Sequence, residues 1–150
     1  MKGWLKTAVL VVALHGVAAP YSQARFWGGP ESRERGGPKR VVIDKSRQVL
    51  RAYEGNRVVL ETHISTGRRG RETPSGHFRA RSKSLMHYSR RYNNAPMPYS
   101  VQIAGNYFIH GFSSVPNYPA SHGCIRVPIG TAREFYNWVD HGTPVSIVGG

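Results

Sequence analysis

The sequence predicts a strand-dominated α+β domain with one main helix near its carboxyl end. Its 150 residues suffice for one compact domain, and a hydrophobic content of 39% can supply a core. Seventeen Gly and ten Pro indicate many turns, which favour short strands over a helical bundle. A helical apolar stripe occurs only once, close to the end of the chain. The single cysteine excludes an intramolecular disulfide framework and a multi-cysteine zinc module.

The first part of the domain is predicted to be a three-stranded antiparallel meander. Residues 41–43, 49–53 and 58–66 are rich in β-branched and other apolar side chains. Turn-forming residues at 45–47 and 54–56 separate these segments by short connections, which is typical of hairpins.

The middle of the domain is predicted to contain three strands and one long loop. The segment Thr73–Phe78 begins with a turn and leads into a strand that continues to about Lys83. Residues 84–98 are polar, aromatic and interrupted by prolines, so we expect a long loop that lines or covers a site. Segments 99–103 and 107–110 are predicted to pair as strands through a tight turn.

The end of the domain is predicted to hold the helix and a last strand. Thr131 and Glu134 have the spacing of a capping box, which predicts a helix start at Thr131. One face of this helix carries the apolar residues Ala132, Phe135, Tyr136 and Val139. We expect the helix to end at 141–142 and residues 144–148 to form a strand.

The amino-terminal 24 residues have the tripartite pattern of a secretory signal peptide. Lys2 and Lys6 precede a short apolar run, and small residues suitable for cleavage follow at 17–19 and 22–24. The apolar run is shorter than the ~20 residues that span a bilayer, although an uncleaved anchor is the alternative. We therefore expect an exported protein of the bacterial periplasm or cell wall, without stable membrane insertion after cleavage.

Three segments follow from these patterns: a signal peptide at 1–24, a flexible tether at 25–38 and a strand-rich domain at 39–149. The tether lacks any apolar period and is rich in Gly and charged residues. Loss of the signal peptide lowers the formal charge from +13 to +11. Export argues against nucleic acid as the partner of this basic surface, which leaves cell-wall polymers and lipid head groups as the abundant polyanions.

The residues that carry chemistry lie near the single cysteine. If residues 122–127 are extended, alternation puts His122, Cys124 and Arg126 on one face and turns the aliphatic residues between them toward the core. Neighbouring positive charge is expected to lower the pKa of the Cys124 thiol. Gly123 permits a close backbone turn whose N–H groups converge on a developing oxyanion.

His110 is the candidate base for this thiol. It ends a predicted strand and is followed by Gly111, so the intervening loop can bring the imidazole back to the sulfur. A thiol paired with an imidazole is the arrangement needed for acyl transfer through a thioester. The alternatives are a buried structural cysteine and a zinc site of His110, His122 and Cys124, whose spacing matches no closed zinc motif.

Five segments of this sequence resemble the YkuD-type L,D-transpeptidase catalytic domain. Ser121-His-Gly-Cys-Ile-Arg-Val127, with Ile109-His-Gly111 upstream, resembles the family's catalytic signature. Residues 41–53 resemble its opening hairpin, Ser65-Thr-Gly67 the end of its third strand, and Thr73–Phe78 its Thr-Pro-x-Gly-x-Phe turn. The resemblance implies a mixed β sandwich or curled sheet with one main carboxyl-terminal helix.

The resemblance also implies roles for individual residues. Cys124 would be the nucleophile, and His110 the proton donor and acceptor, oriented by the Gly111 carbonyl. The amides of His122, Gly123 and Cys124 would form the oxyanion hole. Ser121 would shape the backbone by hydrogen bonding, and Arg126 would hold the motif together or bind a substrate carboxylate. Neither a metal nor an organic cofactor is expected.

The implied reaction joins peptidoglycan stem peptides. The family attacks the bond between the third residue of a tetrapeptide stem, a diamino acid, and the terminal D-alanine. Transfer to a second stem gives a 3–3 cross-link, transfer to a lipoprotein lysine anchors that protein to the wall, and water gives carboxypeptidase or endopeptidase activity. A non-catalytic basic wall-binding domain is the alternative from another class. Only ten residues separate His110 from Ser121, which is expected to alter the acceptor side.

Overall fold

The computed structural model describes residues 36–150, which form nine strands and one helix within that range. The first sheet contains β1 (Lys39–Asp44), β2 (Val49–Glu54), β3 (Arg57–His63), β4 (Gly76–Arg79) and β9 (Pro144–Val148). The second contains β5 (Lys83–Ser89), β6 (Ala95–Ala104), β7 (Tyr107–Phe112) and β8 (Ile125–Pro128), and the helix α1 is Ile129–Trp138. The signal peptide assigned to 1–24 lies outside the described residues, as does most of the tether assigned to 25–38.

The five-stranded sheet has the order β3-β2-β1-β9-β4. The antiparallel pairs β1–β2 and β2–β3 confirm the predicted meander. The last strand, β9, runs parallel to β1 and antiparallel to β4, so the chain end lies between two strands from early in the sequence.

The four-stranded sheet has the order β5-β6-β7-β8. Its β6–β7 pair is antiparallel, as predicted, and β7–β8 is parallel. The parallel register sets His110 opposite Arg126 and Ile109 opposite Ile125. The strand that carries His110 thus lies beside the strand that follows Cys124. The strand-dominated α+β class is confirmed.

The long loop expected at 84–98 is wrong, because this segment forms the β5–β6 hairpin with a tip at 90–94. The prolines that suggested a loop, Pro96 and Pro98, pair with β5 only, since β6 meets β7 from Val101 onward. Proline is tolerated where one side of a strand has no neighbour, because its missing N–H then costs no sheet hydrogen bond. The strand expected to run to about residue 83 is likewise shorter, ending at Arg79.

The helix begins earlier than its predicted capping box. It starts at Ile129 directly after β8, with Pro128 at the N-cap and without a side-chain cap, so Thr131 already lies in the first turn. The fixed φ of proline is compatible with a helix start, which removes the need for the threonine cap. The helix ends at Trp138, before the expected turn at 141–142.

One hydrophobic core joins both sheets and the helix. Side chains exposed by 1% or less include Ile43, Val101, Ile125 and Phe135, one or more from each layer. In the described range no helix is long and apolar enough to cross a bilayer. Ser65 forms an isolated β-bridge with Arg126 in β8, and Gly67 forms one with Ser121 just before β8. These bridges connect the two sheets at the site.

Candidate active site

The turn before β8 positions Cys124 through hydrogen bonds of Ser121. The Ser121 hydroxyl donates to the Cys124 carbonyl and accepts from the Gly123 amide at 3.1 Å. Gly123 has φ +121°, a backbone conformation that residues with a Cβ rarely adopt. Because its amide is engaged by Ser121, the expectation that Gly123 donates to an oxyanion is wrong for this conformation. The His122 and Cys124 amides keep that role as a proposal.

Thr73, in the loop between β3 and β4, anchors the same turn. Its hydroxyl accepts from the Gly67 amide at 2.9 Å and donates to the Gly123 carbonyl at 2.7 Å. The side chain is 1% exposed, so both bonds lie in the protein interior. The sequence pattern places Thr73 only in a turn and does not predict these contacts. The Thr-Pro-x-Gly-x-Phe resemblance was the available signal for this contact.

His110 occupies β7 with only 5% of its surface exposed. Its Nδ1 lies 2.9 Å from the Gly111 carbonyl oxygen. A carbonyl can only accept, so the proton of the neutral imidazole sits on Nδ1 and Nε2 carries the free lone pair. This tautomer lets Nε2 take a proton from a neighbouring group.

The pKa of His110 is lowered from 6.5 to about 4. Burial of the ring is the main cause, because it disfavours the charged imidazolium. The positive charges of Arg126 and His87 lower it further, whereas the bond to the Gly111 carbonyl opposes the shift. The ring is therefore neutral at physiological pH.

The Cys124 residue is half-buried and lies directly before β8. The sequence predicted a lowered thiol pKa, and the structure corrects this: burial raises the pKa of Cys124. A backbone hydrogen bond from Phe108 and the charge of Arg126 oppose the rise without reversing it. Neighbouring arginine is present as expected, but removal of the thiolate from water outweighs it.

Arg126 holds the motif to its surroundings. Its backbone pairs with Ser65 through both the amide and the carbonyl, at 2.9 and 3.0 Å. The guanidinium lies over the Phe112 ring, 4.1 Å from the centroid. Of the two expected roles, this geometry provides the contacts for holding the motif.

His122 forms a cluster with Tyr92 and two arginines. Arg68 Nη1 lies 3.1 Å from His122 Nε2, and arginine only donates, so Nε2 accepts and the imidazole is neutral. Partial burial, Arg68 and Arg71 lower the pKa of His122. Arg71 also donates to the Tyr92 hydroxyl at 3.1 Å.

Cys124 lies between two cavities. The smaller, about 60 Å³, is bordered by His110, Cys124 and Phe112. The larger, about 450 Å³, extends from Cys124 along the β5–β6 hairpin. Tyr92 and His122 border both, so their pair stands between the two spaces. A substrate that crosses the sulfur can therefore place one half in each cavity.

The alternative zinc site would consist of His110, His122 and Cys124, but these side chains do not form a candidate metal-binding cluster. Within residues 36–150, no three His, Cys, Asp or Glu side chains are grouped to hold a metal ion. His122 instead contacts Arg68, and the neighbouring guanidinium disfavours a cation at that ring.

A buried neutral imidazole and a half-buried thiol thus border the same small cavity, within a strand-dominated α+β domain. The chain belongs to the YkuD family: the model of the L,D-transpeptidase catalytic domain matches residues 38–147. A comparison with curated protein sequences finds no match.

Solved structures of the same class have the same fold. An L,D-transpeptidase from Xylanimonas cellulosilytica is 32% identical, with a TM-score of 0.68 over 77% of this chain and 62% of its own. One from Enterococcus faecium is 26% identical, with a TM-score of 0.65 over 74% of this chain and 50% of its own. One from Stackebrandtia nassauensis is 23% identical, with a TM-score of 0.69 over 80% and 62%. The chain thus spans between half and about three fifths of these structures.

Proposed function

We propose that this chain is a peptidoglycan L,D-transpeptidase that works through a Cys124 thioester. The observation that carries the proposal is the position of Cys124 between two cavities, one of which is bordered by His110. Family membership supports stem peptides as the substrate. The donor is a tetrapeptide stem, and the bond that breaks joins its third residue to the terminal D-alanine.

Acylation begins with both partners neutral. The raised thiol pKa and the lowered imidazole pKa disfavour a preformed thiolate–imidazolium pair. His110 Nε2 takes the thiol proton as Sγ forms a bond to the substrate carbonyl carbon, and the His122 and Cys124 amides stabilise the oxyanion. The C–N bond to D-alanine then breaks, and the imidazolium returns the proton to the leaving amine.

Deacylation repeats these steps in reverse with a new amine. The amine attacks the thioester carbonyl and gives a proton to His110, the C–S bond breaks, and the proton returns to sulfur. Since the leaving and the incoming amine both exchange a proton with His110, both belong on the side of the small cavity. The acyl half of the donor then occupies the large one.

The acceptor defines the biological product. A side-chain amine of a second stem gives the 3–3 cross-link, and a lipoprotein lysine gives attachment of a protein to the wall. Hydrolysis by water, giving carboxypeptidase or endopeptidase activity, is the second candidate. Phe112 borders the small cavity and also a groove of about 360 Å³ beyond it. This arrangement favours an extended acceptor, which can occupy both spaces.

The proposed location follows from the amino-terminal pattern and the family. A signal peptide at 1–24 would deliver the domain to the periplasm or cell wall, where its substrate occurs. The formal charge of +11 that remains after loss of residues 1–24 favours adhesion to anionic wall polymers.

Incubation of muropeptides with wild type and Cys124→Ala, followed by mass spectrometry, tests the proposal. We expect wild type to release D-alanine and form dimers, and Cys124→Ala to do neither while it still binds sacculi. Trimmed monomers without dimers would select the hydrolase. Absence of any product from folded wild type would leave only a binding domain.

An independent test probes the thiol directly. A carbapenem should acylate Cys124 and add one drug mass to the intact protein, because its strained amide is open to a thiol nucleophile. Cys124→Ala should gain no mass. A folded wild type that stays unmodified at neutral pH would contradict the role of Cys124.

A further inference from the structure

The large cavity beside Cys124 is lined by positive charge. Arg90 and Arg91 border it, and none of its lining residues is Asp or Glu. A cavity of about 450 Å³ is large enough for several residues of a peptide. An uncompensated pair of guanidinium groups at its wall creates a field that favours anions.

Both arginines sit at the tip of the β5–β6 hairpin. The tip is a defined turn, in which the Tyr92 and Asn94 amides both donate to the Ser89 carbonyl, at 3.3 and 3.1 Å. Tyr92, directly after Arg91, packs on His122 with 4.6 Å between ring centroids. This contact holds the tip, and with it the arginines, beside the sulfur.

The two guanidinium groups have no acidic partner in the described structure. The four ion pairs found among residues 36–150 use other arginines and lysines. Both side chains are exposed to solvent. Arginine presents a planar fork of donors that fits a carboxylate in a bidentate manner. The tip is therefore an anion-binding element at the wall of the site.

Given the proposed function, the acyl half of the donor stem occupies this cavity. In a stem whose diamino acid at position three has a second carboxyl group, and whose residue at position two is linked through its side-chain carboxyl, that half carries one free carboxylate on each of these residues. We propose that Arg90 and Arg91 bind a free carboxylate of the donor stem, so that the enzyme selects anionic stems over amidated ones.

Steady-state D-alanine release from matched synthetic tetrapeptides tests this inference. The four donors are unmodified, amidated at residue three, amidated at residue two, and amidated at both. We expect wild type to lose about tenfold in kcat/KM, through KM, when the recognised carboxylate is amidated. The single amidation that causes this loss identifies which carboxylate is bound.

The matching variant is R90Q/R91Q, with R69Q as control. Arg69 is exposed in the loop between β3 and β4 but does not line the cavity. The double variant should have about tenfold lower kcat/KM on the unmodified donor and an unchanged kcat/KM on the doubly amidated donor. It should therefore no longer prefer one of these donors over the other. R69Q should behave as wild type. Rising salt should weaken wild-type turnover of the unmodified donor more than of the amidated one, which needs no variant.

The outcomes separate this inference from the proposed function. Equal turnover of all four donors by wild type, or equal losses of R90Q/R91Q on all of them, would overturn carboxylate recognition while leaving the transpeptidase assignment intact. No turnover of any donor by wild type would instead contradict the proposed function.

Discussion

The Tyr92 ring stacks on the His122 imidazole, with 4.6 Å between centroids and 32° between the ring planes. The Tyr92 hydroxyl also accepts from Arg71 at 3.1 Å and donates to the His122 carbonyl at 3.4 Å. Tyr92 belongs to the β5–β6 hairpin and His122 to the turn that carries Cys124. One aromatic contact thus connects the hairpin tip to the backbone of the nucleophile.

Tyr92→Ala should release the hairpin tip from the site. Loss of an aromatic contact and of two exposed hydrogen bonds removes about 1–2 kcal/mol of local stability. We expect the amides of residues 90–94 to exchange with deuterium about tenfold faster, and kcat/KM for D-alanine release to fall by a similar factor. Hydrogen exchange followed by mass spectrometry measures the first effect.

Tyr88→Ala is the matched control for this change. Tyr88 lies on the same hairpin and is 55% exposed. Its removal should leave both the exchange of the tip and turnover unchanged. Unaltered exchange in Tyr92→Ala would show that the stack does not hold the tip.

The buried imidazole of His110 predicts a stability that decreases in acid. Its pKa is about 4 in the folded state and near 6.5 in the unfolded chain. Between these values the unfolded state binds more protons, so the free energy of unfolding falls as pH drops from 6.5 toward 4. The His110 contribution to this loss is about 3 kcal/mol.

Comparison with His110→Gln isolates this contribution from the carboxylates, which both proteins share. Urea unfolding at pH 7 and pH 4 should show wild type losing about 3 kcal/mol more than the variant. An equal loss in both proteins would mean that His110 is not held neutral by burial.

The lowered pKa of His110 also moves the acidic decline of kcat/KM to lower pH. Because burial holds the pKa of His110 at about 4, we expect kcat/KM to stay flat from pH 7 to pH 5 and to fall below that. A limb centred at pH 6.5 in a full pH profile would contradict the buried neutral base.

Gly123→Ala should damage the site by backbone strain. The φ of +121° is unfavourable for alanine, and the new Cβ would lie 3.0 Å from the Tyr107 ring. We expect a loss of about 1–3 kcal/mol in the free energy of unfolding, with turnover reduced more than tenfold because Cys124 moves. Chemical denaturation and carbapenem acylation rates measure the two effects.

Gly130→Ala provides the opposite control. Gly130 lies in α1, and a Cβ there meets no atom within 4 Å. Alanine should stabilise the helix by about 0.5 kcal/mol without changing activity. Similar losses in both variants would indicate a general intolerance of glycine replacement rather than strain at the nucleophile.

The strands that could be predicted are those whose side chains alternate between core and solvent. Val41 and Ile43 in β1 are buried on alternate positions, and the pattern shows this directly. In β5, by contrast, the neighbours Leu85 and Met86 are both exposed, so the period-two signal is absent. The prolines of β6 strengthened the wrong prediction of a loop.

The sequence identifies candidate site residues, but it does not predict their protonation. Short motifs mark Cys124 and His110, and the nearby Arg126 suggested a lowered thiol pKa. The actual direction depends on burial of Cys124 and His110, which arises from packing between elements distant in sequence. Proximity of charge can be inferred from a motif, whereas desolvation cannot.

Thr73→Val should loosen the nucleophile turn without creating a cavity. Valine keeps the shape of threonine but leaves the buried Gly67 amide and Gly123 carbonyl without their partner. Two unsatisfied buried groups predict a loss of about 2–4 kcal/mol in the free energy of unfolding and a slower acylation of Cys124. Thr131→Val is the control, because Thr131 lies in a helix that has no side-chain cap. It should cost less than about 0.5 kcal/mol, and urea unfolding of the two variants measures the difference. Equal stabilities of the two would show that Thr73 acts only by filling space.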